Sequence, residues 1–349
     1  MSKMTIEEKV YRNNNIRFYI LLLIGIVALI LTVGISLTIG NYKTSIGEVI
    51  NSLINPESNP QVYKIVVYSR IPRLISALIV GLALSVSGLT YQEIFKNKMA
   101  SPDVLGVSQG ASVGAAFAIV LSCSFALTSF ISFVGGIIAV TLTLIISRLF
   151  KGKDKSLSLI LSGIVVGGLM SSTLGFIKYI SNDRQLSSIT FWLLGGFYNT
   201  TYDQLKIVAP IIILCSILLF ALRWNINMLG HGDRDAKTHG LNSTLIRYLA
   251  IIFSTIITSL SVGISGTISW IGLAIPNLIR VLIKNDPKRL MGLTIIYGML
   301  FTAICDLLAR TLTAFEIPVG IITGCLGSLI FIVVLLIRRL YIWKRIKLM

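Results

Sequence analysis

The sequence predicts an all-α membrane protein that crosses a bilayer about ten times. Of its 349 residues, 54% are hydrophobic and only 13% are charged, whereas soluble domains carry roughly a quarter charged residues. The mean hydropathy is +0.85. A soluble core cannot enclose this much apolar surface, but a bilayer accepts it on the outside of the protein. Spans of about 20 residues suit a hydrocarbon layer about 30 Å thick and leave short loops in a chain of this length.

Ten apolar runs place these spans along the chain. Several contain Gly, Ser or Thr, which membrane helices use for close packing. The first run is too long for a signal-peptide core and precedes no small-residue cleavage site, so it is predicted to remain as a helix. The division between the seventh and eighth runs is the least defined. The runs cover residues 18–39, 64–92, 104–122, 126–149, 157–177, 204–222, 245–264, 268–283, 290–310 and 318–337.

The basic residues predict the orientation. With both termini in the cytoplasm, 23 of the 31 Lys and Arg residues lie on cytoplasmic segments, as the positive-inside rule requires. The same asymmetry explains the net charge of +17 without a nucleic-acid partner. The eight basic residues left outside are Lys43, Lys64, Arg70, Arg73, Lys178, Arg184, Lys206 and Arg310.

Three loops are long enough to fold. Residues 40–63 and 178–203 lie outside, and the second contains Phe191, Trp192 and Tyr198, which suit an interfacial belt or a short surface helix. The largest polar stretch, at about 223–245, lies inside and is rich in Gly and mixed charge.

A weak internal repeat favours two inverted five-helix halves. Ser87-Gly88 and Ser265-Gly266 each follow a small-residue apolar segment and precede a proline, although the spacings to Pro102 and Pro276 differ. Inverted repeats are common among transporters, and two inverted halves are therefore expected here.

Two enzyme motifs are absent from the sequence. It contains no P-loop and no H-E-x-x-H, and its four cysteines lie singly among apolar residues, so no cofactor or metal site is expected. The carboxylates near membrane depth (Glu93, Asp103, Asp306 and Glu316) fall near span ends. Ion-coupled transporters usually keep one near the midplane. The energy for any transport is therefore expected to come from another subunit.

Arginines on the sparsely basic outer side have two open interpretations. Arg70 and Arg73 flank Ile71-Pro72, and Arg310 lies four residues after Asp306. They are either snorkelling anchors, with Asp306 and Arg310 as an i,i+4 pair, or a positive ring that receives acidic groups of an external partner.

Seven stretches spread over most of the chain resemble the FecCD-type permeases, the membrane subunits of ABC importers for iron chelates, haem and vitamin B12. Each stretch is short, but their combination is specific. They are Arg70-Ile-Pro-Arg73 and residues 80–88, 95–111, 191–196, 266–280, 306–310 and 316–323.

The resemblance implies a multi-pass permease of the bacterial cytoplasmic membrane, with residues 1–349 as a single permease domain. It implies pairing with a second permease, identical or not, two cytoplasmic ATPase subunits and an extracytoplasmic binding protein. The implied cargo is an iron chelate, a ferric siderophore first and haem or a corrinoid as alternatives. An ion-coupled secondary transporter is the alternative from a different class.

The resemblance also assigns residues. Arg70, Arg73 and Arg310 match arginines that meet glutamates of the binding protein. The remaining assignments are ATPase coupling at Gly230, Asp233, Ala236, Gly240 and Leu241; gating at Asn97 and Met99, and more loosely at Ser156 and Leu157; and pathway lining or mere packing at Ser87 and Gly88.

Three positions depart from the family pattern. Lys98 stands where the family usually has proline after the gate asparagine, Asn277 where it usually has histidine, and His239 where an aliphatic residue is common. These departures leave the ligand type and local contacts open.

Overall fold

The computed structural model describes residues 6–40, 42, 44–149, 155–283, 287–313 and 315–346, without the side chains of 6–14, 231, 233, 234, 237, 287, 288 and 340–346. These residues form helices joined by short loops, and the described ranges contain no β-strand. The α-helices are α1 (Ile6–Thr38), α2 (Ile46–Ile54), α3 (Pro60–Ile65), α4 (Ile71–Ile94), α5 (Val107–Val120), α6 (Phe125–Leu149), α7 (Lys155–Ile180), α8 (Asp183–Leu194), α9 (Tyr202–Ala221), α10 (Arg223–His231), α11 (Asp233–Thr238), α12 (Ser243–Ser265), α13 (Ile271–Leu282), α14 (Pro287–Thr311) and α15 (Val319–Ile346).

The predicted all-α membrane fold is confirmed. Within the described ranges, eight helical segments are long and apolar enough to cross a membrane. They lie on α1, α4 together with α3, α6, α7, α9, α12, α14 and α15, and they correspond to eight of the ten predicted runs. The orientation of the termini stays a prediction.

The third and eighth runs form shorter helices, α5 and α13. At about 1.5 Å per residue, helices of 14 and 12 residues reach only about 21 and 18 Å, less than the apolar layer of about 30 Å. Each is preceded by chain outside the α-helices: residues 95–106 before α5, which include a short 3-10 helix at Pro102–Leu105, and residues 266–270 before α13. Both runs are therefore helical over most of their predicted length, and each helix begins three residues after its run does.

The non-helical chain before α13 is covered by other parts of the protein. The amide N–H of Gly196 donates to the carbonyl of Ser265 at 2.8 Å, and the hydroxyl of Thr267 donates to the carbonyl of Leu193 at the end of α8. Irregular backbone is tolerated inside a membrane only where its polar groups find such partners. One short helix with an irregular entry occurs in each half of the chain, and the inverted repeat itself stays a prediction.

Helix α4 runs through the centre of the bundle. In the segment Pro60–Ile94, which includes α4, 83% of the most apolar 18-residue stretch is buried. The corresponding share in α1, at the periphery, is 17%. Helices α9, α12, α13 and α14 pack around it. Because α4 connects the two ends of the bundle, it presents Arg73 at one end and Glu93 at the other. We call these ends the arginine face and the loop face.

Gly88 on α4 allows the closest approach to α13. A Cβ atom added at Gly88 would lie 2.0 Å from the carbonyl oxygen of Gly272 and 2.3 Å from its Cα. Both atoms belong to the backbone, so neither can turn aside. Small residues at such crossings let two helix backbones touch.

We expect Gly88→Ala to destabilise the bundle by about 1–3 kcal/mol, the usual range for overpacking. The measurement is the midpoint of thermal unfolding in detergent. Gly292→Ala on α14 is the matched control, because a Cβ atom there meets nothing within 4 Å and alanine is the better helix former. An equal midpoint for Gly88→Ala and the unaltered chain would contradict the contact.

Candidate functional site

A π-helical turn, Val66–Arg70, brings the arginine pair to the arginine face. It ends two residues before Pro72, which has no N–H to donate to an earlier carbonyl. The carbonyl of Val67, five residues earlier, instead accepts a hydrogen bond from the Tyr202 hydroxyl at 2.6 Å. Such single π-turns occur frequently at functional sites. This one connects the start of α4 with the start of α9.

Arg70 turns into the protein rather than outwards. Its guanidinium donates to the carbonyl of Leu37 at 2.5 Å and to the Thr44 hydroxyl at 2.7 Å, and it also bonds the carbonyl of Tyr42. Only 4% of the residue is exposed. Arg70 therefore fastens the end of α1 and the following loop to α4.

Arg73 is the centre of a buried ion-pair network. Its Nε donates to Asp306 Oδ1 and its Nη1 to Glu316 Oε2, each at 2.7 Å. Arg310 Nε lies 3.4 Å from Asp306 Oδ2, and Arg310 Nη2 donates to the Ser36 hydroxyl at 2.5 Å. The side chain of Asp306 is 1% exposed, whereas that of Glu316 is 38% exposed. The network joins α1, α4, α14 and the segment before α15.

The structure brings all three predicted docking arginines together, but it buries them. Arg73 and Arg310 are 7% and 6% exposed, and this chain's own oxygens bind all three guanidinium groups. The i,i+4 pair of the anchor interpretation is present. Contact with a partner's glutamates stays a prediction, and it would require rearrangement of these bonds.

An open cavity of about 1120 Å³ lies beside the network, between α8, the α5–α6 turn and the start of α15. Its wall includes Arg184, Ser187, Ser188 and Phe191 of α8, whose spacing places them on one helix face. Trp192 also lines the cavity, and its indole nitrogen is buried without an acceptor among the described residues. The 178–203 loop thus contains a short helix, α8, capped by Asn182 and Gln185, and its position at the membrane surface stays a prediction.

Two short helices, α10 and α11, form the loop face. Gly230 at the end of α10 lies against Glu93, and a Cβ atom there would meet Glu93 Oε2 at 2.4 Å. Ala236 is fully buried, and its carbonyl accepts the N–H of Leu241 at 3.0 Å. Gly240 has a positive φ of 75°, and the side chain of Asp233 lies outside the described residues. The predicted coupling segment is therefore folded and packed on the end of α4.

The predicted gate residues fall into two groups. Asn97 and Met99 lie on an exposed turn after α4, where Asn97 Oδ1 accepts the N–H of Met99 at 2.9 Å. Leu157 is likewise exposed. Ser156 is buried and donates to the carbonyl of Ile94 at 3.2 Å, so it joins the start of α7 to the end of α4.

Ser87 and Gly88 lie in the packed interior. Ser87 is hydrogen-bonded to the Thr258 hydroxyl at 2.7 Å, and Gly88 touches Gly272. Neither residue is exposed. Both residues thus make packing contacts inside this chain, and a role in lining the pathway stays a prediction.

A polar cluster on the loop face was not predicted from sequence. Arg280 on α13 binds Glu93 at 2.6 Å and also the side-chain oxygen of Gln92. Three residues earlier on α13, Asn277 contacts the turn after α4. An Asn and an Arg at i and i+3 on an apolar helix were the available signal. Partial burial lowers the pKa of the neighbouring Lys98, and the charges of Arg280 and Arg338 add to this effect.

The chain is similar to known proteins over most of its length. The model of the FecCD transport family matches residues 28–338. The chain belongs to this family. The molybdate import system permease protein MolB of Haemophilus influenzae is 35% identical over 87% of this chain and 91% of the relative. A probable iron chelatin transport system permease protein of Helicobacter pylori is 34% identical over 88% and 93%.

A solved structure supports the same assignment. It is described as an ABC transporter of the metal-chelate type in an inward-facing conformation. The TM-score is 0.81 at 32% identity, and the match covers 91% of this chain and 98% of that chain. The protein is therefore a multi-pass ABC permease of the FecCD family and a transport subunit rather than an enzyme.

Proposed function

We propose that this permease moves a ferric siderophore across the bacterial cytoplasmic membrane. An extracytoplasmic binding protein delivers the chelate to the arginine face. Two ATPase subunits seat on the loop face of a permease pair, and residues 223–245 transmit their movement. The observation that carries the proposal is the family match over residues 28–338, together with a folded two-helix segment on the end of α4.

The cavity on the arginine face supports an organic chelate as cargo. Pockets for drug-sized ligands measure about 300–1,000 Å³, and this cavity reaches that size at about 1120 Å³. A bare oxyanion would leave most of it empty. The arginine, hydroxyl and indole groups on its wall suit the oxygen-rich, anionic surface of a ferric chelate. Haem and corrinoids remain alternatives of similar size.

Molybdate is the second candidate, because one of the relatives described above is named for its import. The two cargoes are distinguished by uptake into vesicles that hold the permease with its ATPase and binding protein. We expect ATP-dependent uptake of a radiolabelled ferric chelate and no competition from excess molybdate. The reverse preference would replace the chelate proposal and leave the importer assignment intact.

The energy source is tested in the same vesicles. We expect uptake to stop when ATP is withheld and to persist when ionophores collapse the proton and sodium gradients, because the ATPase drives the movement. Vesicles without the ATPase subunit are the control. Uptake that survives without ATP but stops with ionophores would support the ion-coupled alternative.

A further inference from the structure

The turn that follows α4 carries two residues of the proposed gate, Asn97 and Met99. We call residues 95–100 the gate loop. The N–H of Ala100 donates to the carbonyl of Asn97 at 3.0 Å, which closes a β-turn with Lys98 and Met99 at its centre. Asn97 suits the first position, because its side chain can bond backbone groups of the turn. Proline is favoured at the second position, which Lys98 occupies here.

Asn277 on α13 supplies a restraint at the same residue. Its Nδ2 donates to the carbonyl of Lys98 at 2.7 Å and to the carbonyl of Leu273 at 2.8 Å. Its Oδ1 accepts a hydrogen bond from Arg338 Nη2 of α15 at 3.0 Å. Both amide protons are therefore used, and the residue is fully buried. One side chain joins the gate loop, α13 and α15.

The same helix also holds the end of α4. Gln92 Nε2 donates to the carbonyl of Gly272 at 3.1 Å, and Arg280 pairs with Glu93 at 2.6 Å. Glu93 in turn lies against Gly230 of α10. A continuous set of contacts thus leads from α10 through Glu93 and α13 to the gate loop.

We propose that Asn277 is a positioning residue that locks the gate loop to α13 and α15, so that movement of α10 is transmitted to the gate. Lys98 and Asn277 are joined directly, because the Asn277 amide donates to the Lys98 carbonyl. A lysine leaves the centre of the turn freer than a proline would, and the amide of Asn277 holds it in place. This inference rests on the proposed coupling and gating roles.

The restraint is tested first in the permease alone. A spin label is placed at Met99→Cys, an exposed position, after Cys123 and Cys325 are changed to serine. We expect Asn277→Ala to increase the mobility of the label markedly. Thr294→Val is the matched control, because that buried hydroxyl donates only within its own helix, to Leu290. An unchanged spectrum in Asn277→Ala would overturn the proposal.

Restoration separates positioning from a general loss of packing. Lys98→Pro added to Asn277→Ala restores the restraint through the fixed φ of proline, and we expect the label to become immobile again. Asn277→His keeps a ring N–H donor, so the label should also be immobile in that variant. It is the variant to use if Asn277→Ala proves unstable. Persistent mobility in both variants would refute a positioning role.

The functional consequence is measured in vesicles with the ATPase and binding protein. We expect Asn277→Ala to raise the ATP hydrolysed per chelate imported by about tenfold, the factor that corresponds to about 1.4 kcal/mol. A parallel fall of both activities would indicate lost assembly and would contradict the proposal. Because the spin-label experiment needs no ATPase, failure of the positioning role is distinguishable from failure of the importer function.

Discussion

Arg73→Met is expected to destabilise the helix bundle by about 3–5 kcal/mol, the usual result of breaking a buried ion pair on one side. Asp306 is almost fully buried, and Arg73 is its partner at 2.7 Å. Arg310 remains at 3.4 Å, but the methionine provides no hydrogen-bond donor to Asp306 or Glu316. A carboxylate left short of partners in a low-dielectric interior carries the desolvation cost without the compensating attraction.

Thermal unfolding in detergent measures this effect. Lys206→Met is the control, because Lys206 pairs with Asp203 at 3.1 Å but both side chains are largely exposed, and such pairs contribute about 0–1 kcal/mol. A second variant, Arg73→Met with Asp306→Leu, removes both charges of this pair and should recover part of the loss, because Arg310 then keeps Ser36 but loses its carboxylate neighbour. If Arg73→Met unfolds at the same temperature as the unaltered chain, the network does not stabilise this fold.

The network changes how docking at the arginine face should be tested. Charge reversal at Arg73 is expected to cut uptake and binding-protein docking and leave ATPase assembly intact. However, a glutamate there would join Asp306 and Glu316, and like charges at these distances repel strongly. A loss of docking by Arg73→Glu is informative only if the variant keeps its melting temperature. Glu316→Gln is the gentler variant, because the exposed carboxylate is removed and Asp306 keeps Arg73.

The sequence was sufficient to locate the helices, but it did not show that α5 and α13 are shorter than a full span. Long apolar runs locate spans because the bilayer requires them, and eight were found as predicted. The run at 268–283 is also apolar, yet its helix begins only at Ile271. Hydropathy does not distinguish helical from extended apolar chain. The position at which α13 begins is set by tertiary contacts such as that of Thr267 with Leu193.

The sites were predictable as positions but not as contacts. Charge alone identified the arginines on the sparsely basic side as candidates, and the i,i+4 relation of Arg310 to Asp306 was readable from spacing. Arg73 lies 233 residues from Asp306 and 243 from Glu316 in the chain, and no local pattern encodes such a separation. The same holds for Asn277 and Lys98, 179 residues apart, which the sequence marked only as two unrelated departures.

Deleting residues 231–239 is expected to abolish uptake while the bundle stays folded and ATP hydrolysis continues without transport. The deletion removes α11 and the segment joining it to α10. With it goes the buried Ala236, whose carbonyl holds Leu241 at 3.0 Å. The ATPase would then meet a surface that no longer transmits its movement to Glu93. Uptake and ATP hydrolysis are measured in the same vesicles. Unaltered uptake would contradict a coupling role for this segment.

Two adjacent point variants sharpen this test. Ala236→Asp places a charge where no surface is exposed, and burial of an unpaired carboxylate is strongly unfavourable, so α11 should detach from the loop face and uptake should fall to background. Asp235→Asn is the matched control. The side chain of Asp235 is next in sequence but exposed, so uptake by this variant should be unchanged. Helix α11 lies at the edge of the bundle, so neither variant should shift the melting of the membrane-spanning helices. Equal loss of uptake in both variants would mean that surface charge, rather than the packing of α11, couples the ATPase to the permease.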